Sequence, residues 1–560
     1  MDRSRASFSP TALRPLSRRR ALGLVSSVPA LLISTGVLTA CGGPTVAPAA
    51  GTALSSPPAR SPSPGDRNAG SSTALTPAAA ADGPRRGGTL IVAYQGSAEH
   101  LDPARYVTIE DENAAFAIYN GLTRLDETLQ VHPDLAVSWT ASEDLKTWTF
   151  HLRQGVSFHH GKVFNADDVV YTFRRILDPT VASPGRSIFT FLDSVEKRDD
   201  ATVVFHLSSP YVDLPVVVAS IYARIVPSDR SDEQILQQPS GTGPFRFREN
   251  VIGDHLTLVR NDQYWEKGLP YLDAIRQVTL PEEASMTAAL QGGQIDIIWQ
   301  ASAQQVQALR GVPGVVVKVV PSGGYVPLVM RADRPPFNDV RVRQAMKYVV
   351  DRDQMRKVAM LGLGDLANDQ PIPPVQPLYT DIGLRGRDID RAKQLLRDAG
   401  YPDGLDLTLY TSPGRPGMVE QAVAFQEMAR PAGIRVRIQQ VPIDAYWANY
   451  WMKKDLCFSN WFARPTVDEI LATTYKSDAK WNESFWKNSS LDQIILAARE
   501  ERDSAKRRDL YARAERIISE DGASIIAFFK PVLYAFRTRV QGFAASPLSI
   551  FIPRTIWLSA

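Results

Sequence analysis

The sequence predicts an α/β protein of more than one lobe, and three observations carry that prediction. Helical patterns alternate with single strand patterns along most of the chain, the order that mixed α/β layers require. With 560 residues, 44% hydrophobic and 22% charged, the chain can bury more than one core. The composition also breaks near residue 87, where an Ala, Pro, Ser and Gly tract gives way to patterned sequence.

The leader comes first. The apolar run Ala21–Ala40 stops at Cys41, between Leu38-Thr39-Ala40 and Gly42-Gly43. This resembles the lipobox of a bacterial lipoprotein signal peptide, which implies that residues 1–40 are removed and that a lipidated Cys41 begins the mature chain. The alternative is a free cysteine behind an ordinary signal peptide or a membrane anchor. Ser17-Arg18-Arg19-Arg20-Ala21-Leu22 resembles a twin-arginine export motif, but Ala21 stands where an aromatic is common, and an ordinary Sec signal fits as well. Residues 41–86, with Leu54 and Leu75 as their only leucines, read as a disordered linker reaching about 35 to 40 Å.

The formal charge of +3 belongs to the leader. Residues 1–40 hold six arginines against Asp2, which leaves 57 basic and 59 acidic residues in the rest, a net −2. Nothing there points to nucleic acid. The cysteines are Cys41 and Cys457, so lipidation of the first excludes an intramolecular disulfide. Beyond Ala21–Ala40 no apolar stretch approaches the roughly 20 residues of a membrane span.

Order begins with Thr89-Leu90-Ile91-Val92-Ala93-Tyr94, a strand by its β-branched content. Trp148–Arg153 alternates as a second strand. A helix follows with Asn165 as its cap, Asp167 and Asp168 in its first turn, and Val169, Phe173, Ile176 and Leu177 on its apolar face. Val342, Ala345, Met346 and Val349 mark another helix, expected to be capped by Asn338. Ala392, Leu395, Leu396 and Ala399 repeat the pattern between Asp388 and a stopping Gly400, and Tyr401–Gly404 turns into the strand Leu405–Tyr410.

These blocks carry a resemblance. "YNGLTRLD" at Tyr119–Asp126, "PDLAVSWTAS" at Pro133–Ser142 and "WTFHLRQGVSFHHGKVFNADDVVYTF" at Trp148–Phe173 open a series of landmarks. "GTGPFRF" at Gly241–Phe247, "LVRNDQYW" at Leu258–Trp265, "ALQGGQIDI" at Ala289–Ile297, "PPFNDVRVRQAMKYVVDRD" at Pro335–Asp353 and "DIDRAKQLLRDAGYPDG" at Asp388–Gly404 continue it. Together they resemble the extracytoplasmic solute-binding proteins of ABC importers, in the peptide/nickel family 5 that binds dipeptides and oligopeptides.

The resemblance implies a two-lobe, class II periplasmic-binding-protein-like fold of the large cluster with an extra subdomain. Lobe I is expected at 87–125, 240–312 and 525–560, its extra subdomain at 126–239 and lobe II at 313–524. A hinge would close the lobes over a peptide or similar polar solute, without cofactor or metal, for delivery to permease and ATPase subunits. A lipid-anchored monomer outside the cytoplasmic membrane is the implied form.

The resemblance also places the ligand. Ser459–Asp468 matches a cleft segment in which a tryptophan strand precedes an aspartate that pairs with a peptide ammonium. Trp461 matches the tryptophan, and Arg464 stands at the aspartate position. Arginine suits carboxylates and phosphates. Arg464 is therefore either a contact for an acidic or oxygen-rich solute or a structural partner of Asp468 or another nearby acid. Asn460 and Phe462, the loop Ser97-Ala98-Glu99, and Tyr325 are the further cleft candidates, whereas Tyr264 and Trp265 are expected to pack the lobe.

Other functions find less support in the sequence. No His-Glu-x-x-His, Gly-x-Ser-x-Gly or zinc-spaced Cys/His set is present, which leaves an exported hydrolase only a triad from distant residues. The family also contains binders of nickel, haem and opine or sugar-type solutes. His159 and His160 are adjacent and would point to opposite faces of an extended segment, a poor arrangement for one metal ion. A receptor or chaperone without transport shares the same fold.

Overall fold

In a computed structural model of the chain, residues 83–560 are described, and the signal peptide, Cys41 and most of the linker lie outside them. Two sheets of different size organise the fold. The first has eight strands, seven of them in the order Val315–Gly324, Phe528–Arg537, Ile297–Ile298, Thr89–Tyr94, Ala274–Thr279, His255–Arg260 and Phe245–Val251. Thr89–Tyr94 lies parallel to Ala274–Thr279 over its whole length, and Leu90, Val92 and Ala93 are fully buried. An apolar, β-branched strand suits such a doubly covered position.

The second sheet orders Ile434–Gln440, Leu405–Thr411, Leu456–Phe458, Leu328–Met330 and Ser524–Ile525. Its first pair is parallel, in register from Leu405 opposite Ile434 to Thr411 opposite Gln440. A separate antiparallel sheet of four strands, Ala136–Ala141, Thr147–Leu152, Thr202–Leu207 and Leu192–Asp199, carries its own core. There Phe173 meets Phe205 edge-on, ring centroids 4.8 Å apart.

Local signals explain the helices. Asn165 caps Ala166–Leu177 in a reciprocal box with Asp168, whose carboxylate also takes Lys162 at 2.7 Å. Asp388 caps Ile389–Asp398, and Gly400 ends it with φ of +90°. The helix expected behind Asn338 instead starts at Val340 with Asp339 as cap. The Asp339 carboxylate accepts the Arg341 N–H at 2.8 Å and also binds its guanidinium. A charged acceptor one residue closer displaces the neutral amide.

The chain passes between the two large sheets in adjacent crossings. Val315–Val320 pairs with Val532–Arg537 in the first sheet, while Leu328 pairs with Ile525 in the second. Between them Gly324 faces Lys530. A further bridge joins the four-stranded sheet's side to the helices Ser489–Glu500 and Ser504–Asp521. Arg507 Nη2 reaches Asp213 Oδ2 at 2.5 Å with both side chains largely buried, and the Val212 N–H donates to the Arg499 carbonyl at 2.9 Å. Arg502 Nη2 donates to the Ser142 carbonyl at 2.6 Å. Among the described residues no helix is long and apolar enough to cross a membrane. Cys457 is a free thiol, and burial pushes its pKa up to about 12.

Candidate functional site

The site is built where the second sheet meets the crossings. After the strand Leu456–Phe458 the chain runs on antiparallel to residues 325–327. Ser459 N donates to the Pro327 carbonyl at 3.0 Å, and Trp461 and Tyr325 exchange backbone hydrogen bonds of 2.9 and 3.0 Å. The structure thus brings together Asn460, Trp461 and Tyr325. Tyr325 is buried, its ring edge-on to Phe529 at 6.2 Å.

Trp461 is 7% exposed, and its indole is held by a hydrogen bond. Glu483 accepts from Trp461 Nε1 at 3.0 Å through one oxygen and from Trp451 Nε1 at 2.6 Å through the other. Burial raises the Glu483 carboxyl pKa, and the two indole donors act against that rise. One carboxylate thus holds both indoles in place. Asn460 Oδ1 accepts from Lys530 Nζ at 2.6 Å across the crossing. Phe462 is 59% exposed, available to a solute or partner.

Arg464 borders a recess with Phe462, Gly323, Pro373, Gln376 and Thr466. Its Nε lies 3.4 Å from Glu469 Oε1, and its carbonyl accepts from Gln376 Nε2 at 2.7 Å. Asp468 is engaged elsewhere, with Arg499 at 2.7 Å. The acid beside Arg464 is therefore Glu469. Spacing four residues apart pairs side chains only within a helix, and the helix Val467–Thr474 begins after Arg464, behind its cap Thr466. The Arg464 side chain keeps 27% exposure. Its field also reaches Glu112, on the helix Ile109–Ile118, whose pKa burial pushes up to about 8 against the pull of Arg464 and Arg224.

Ser97, Ala98 and Glu99 are tied to the first sheet and its neighbouring helix. Ser97 Oγ contacts Thr279 Oγ1 at 3.0 Å and accepts the Gly253 N–H, the Ala98 carbonyl accepts from Asn250 Nδ2 at 2.9 Å, and Glu99 N donates to Asp111 Oδ1 at 2.8 Å. Among the described residues no hydrogen bond or ion pair joins this loop to Ser459–Arg464. Tyr264 is buried, and Trp265 Nε1 donates to Asn120 Oδ1 at 3.2 Å under the Arg153 guanidinium, so both pack.

Both neighbouring histidines are used in the fold. His159 Nε2 donates to the Gly243 carbonyl at 3.0 Å while Nδ1 accepts the Gly241 N–H, and burial pushes its pKa down to about 4. His160 contacts Ser240 Oγ and Asp229. Among the described residues no cluster of three or more His, Cys, Asp or Glu side chains could hold a metal ion.

Glu483, Lys530 and Glu112 were not among the sequence candidates. Lys530 had one signal, a lone charge inside the apolar strand Phe528–Arg537. The others had none, because they reach the site through the tertiary fold.

Comparison with known proteins identifies the family. Residues 130–483 match the family model "Bacterial extracellular solute-binding proteins, family 5 Middle". The "Di/tripeptide-binding protein 1" of Pseudomonas aeruginosa is 27% identical over 502 residues, covering 82% of this chain and 92% of its own. The DppA periplasmic binding protein of Helicobacter pylori, solved with the peptide STSA, is 27% identical with a TM-score of 0.75 over 85% of this chain and 99% of its own. AgaA of A. tumefaciens R10, solved with agropinic acid, is 26% identical with a TM-score of 0.73 over 84% and 99%. With its two-lobe α/β fold and that match, the chain belongs to family 5 of the bacterial extracellular solute-binding proteins of ABC importers.

Proposed function

We propose that this protein captures a peptide, or a polar solute of similar size, in the cleft beside Asn460–Arg464 and delivers it to an ABC permease. The observation that carries the reading is the Trp461 segment, bonded to Tyr325 at the crossing and clamped by Glu483. A rigid apolar wall edged by a few polar groups is the usual form of a small-molecule site. The di/tripeptide-binding relative and the peptide-bound DppA support peptides as the solute class. Capture requires no covalent step: solute favours the closed form only by its differential affinity for it. Calorimetric titration with pooled di- to tetrapeptides is expected to show saturable one-to-one binding. Absence of heat, together with an unchanged melting temperature, removes peptides as the solute.

Arg464 serves in this reading as the cationic edge of the recess, partly balanced by Glu469. The protein works as a monomer held at the membrane by a lipid on Cys41, with residues 42–86 as the leash that lets it dock. The Cys41→Ser variant is expected to leave the membrane fraction for the soluble one. Retention of that variant in washed membranes contradicts the anchor.

A further inference from the structure

We infer that the recess beside the loop Gly96-Ser97-Ala98 binds a monovalent metal ion of sodium size, held by oxygens of Glu110, Gln277, Ser97 and Thr279. The inference is independent of solute capture, and it adds an ion to a fold whose family resemblance implied none.

The sheet register builds the recess. Thr89–Tyr94 and Ala274–Thr279 run parallel with Val92 opposite Gln277 and Tyr94 opposite Thr279, so Tyr94, Gln277 and Thr279 share one face. The helix Ile109–Ile118 covers that face, since Asn113 Nδ2 donates to Tyr94 Oη at 3.1 Å. Glu110 lies three residues before Asn113 and so on the same side of the helix. Tyr94, Ser97, Glu110, Asn250, Gln277 and Thr279 line a recess of about 200 Å³.

Two of these side chains are left with unspent polar atoms. Gln277 is 4% exposed, and neither its amide oxygen nor its amide nitrogen has a partner. Glu110 is 8% exposed; it accepts the Gly96 N–H at 3.0 Å, and among the described residues no cation lies within ion-pair distance of it. Its neighbour Asp111 instead takes the N–H groups of Glu99 and His100, and the buried Asp102, Asp168 and Asp296 each meet an arginine or a lysine. The helix dipole favours an acid in the first turn but gives no partner to Gln277. A buried carboxylate without a cation and a buried amide without a bond both call for an occupant.

The donors set its charge. Thr279 Oγ1 lies 3.0 Å from Ser97 Oγ and donates to the Gly96 carbonyl at 3.3 Å, which keeps two hydroxyl oxygens beside the carboxylate. His255, also on the wall, is engaged by Asp254 at 2.8 Å. Oxygen donors select hard cations, and one carboxylate among neutral oxygens balances one charge. The Gln277 amide N–H₂ is then free to donate to a water of the ion's shell.

The test melts the full chain, solubilised in detergent, in sodium chloride and in choline chloride of equal ionic strength. Sodium is expected to raise the melting temperature by about 2 to 4 °C over choline, since the ion binds the folded chain alone. Glu110→Gln keeps an acceptor for the Gly96 N–H and removes the charge, and Gln277→Met removes the amide at similar volume. Both variants are expected to fold and to lose the sodium effect, and Gln277→Met, which alters no charge, carries the test if Glu110→Gln does not fold. Equal melting of the wild type in the two salts overturns the inference, as does a sodium effect that survives in either folded variant. Stabilisation by millimolar calcium chloride in place of sodium overturns the monovalent assignment.

Discussion

Arg507→Ala is expected to weaken solute binding by about 100-fold or more. Asp213 and Arg507 meet at 2.5 Å in a largely buried contact between the four-stranded sheet's side and the helix Ser504–Asp521. Burial raises the Asp213 pKa while Arg507 lowers it, so removing the guanidinium leaves an unpartnered inward acid. Breaking such a pair costs about 3 to 5 kcal/mol. Val212 bonded to Arg499 and Arg502 bonded to Ser142 lie along the same seam, which makes it a clasp between the four-stranded sheet's side and the two helices.

If the clasp forms only on closure, the cost falls on the closed state and appears in the apparent dissociation constant. Calorimetry on Arg507→Ala measures that constant, and urea unfolding measures any loss common to both states. The double variant Arg507→Ala with Asp213→Ala is expected to recover most of the affinity, because the stranded charge has gone. An affinity unchanged in the single variant shows that the clasp persists in the open form and has no part in closure.

Glu483→Gln is the second large effect. The carboxylate accepts from both the Trp461 and Trp451 indoles. A glutamine supplies one carbonyl acceptor and turns an amide N–H₂ toward the other indole N–H, donor against donor. A buried donor left unpaired costs about 1 to 3 kcal/mol, with the loss of a charged acceptor in addition. The expected outcome is a stability loss of about 3 kcal/mol in urea unfolding and solute affinity lower by at least about tenfold, since Trp461 loses its fixed orientation. Wild-type affinity in a folded Glu483→Gln protein excludes Trp461 orientation as a determinant of binding.

What the chain disclosed in sequence was whatever is local. The cap Asn165 and the stop Gly400 act within one turn of their own position, and both helices end where those residues direct. Asn338 misled because Asp339, one residue on, is the stronger acceptor. Trp461 was legible through resemblance, but its clamp Glu483 lies 22 residues away, with no spacing rule joining them. Lys530 and Asn460 are 70 residues apart and Arg507 and Asp213 are 294 apart, contacts made only when separate sheets dock. The partner of Arg464 follows the same logic: Asp468, four residues on, is drawn inward by Arg499, and Glu469 takes its place.

Solute capture against Trp461, at the crossing between the sheets, is open to a direct test. Calorimetric titration of a binding peptide into the wild type and into Trp461→Ala tests it most directly, with far-UV circular dichroism to show that the variant is folded. The predicted result is one-to-one binding in the wild type and a loss of at least about 100-fold in the variant, from the removed aromatic wall. A folded Trp461→Ala protein that binds the peptide as tightly as the wild type would place the solute elsewhere and contradict the account.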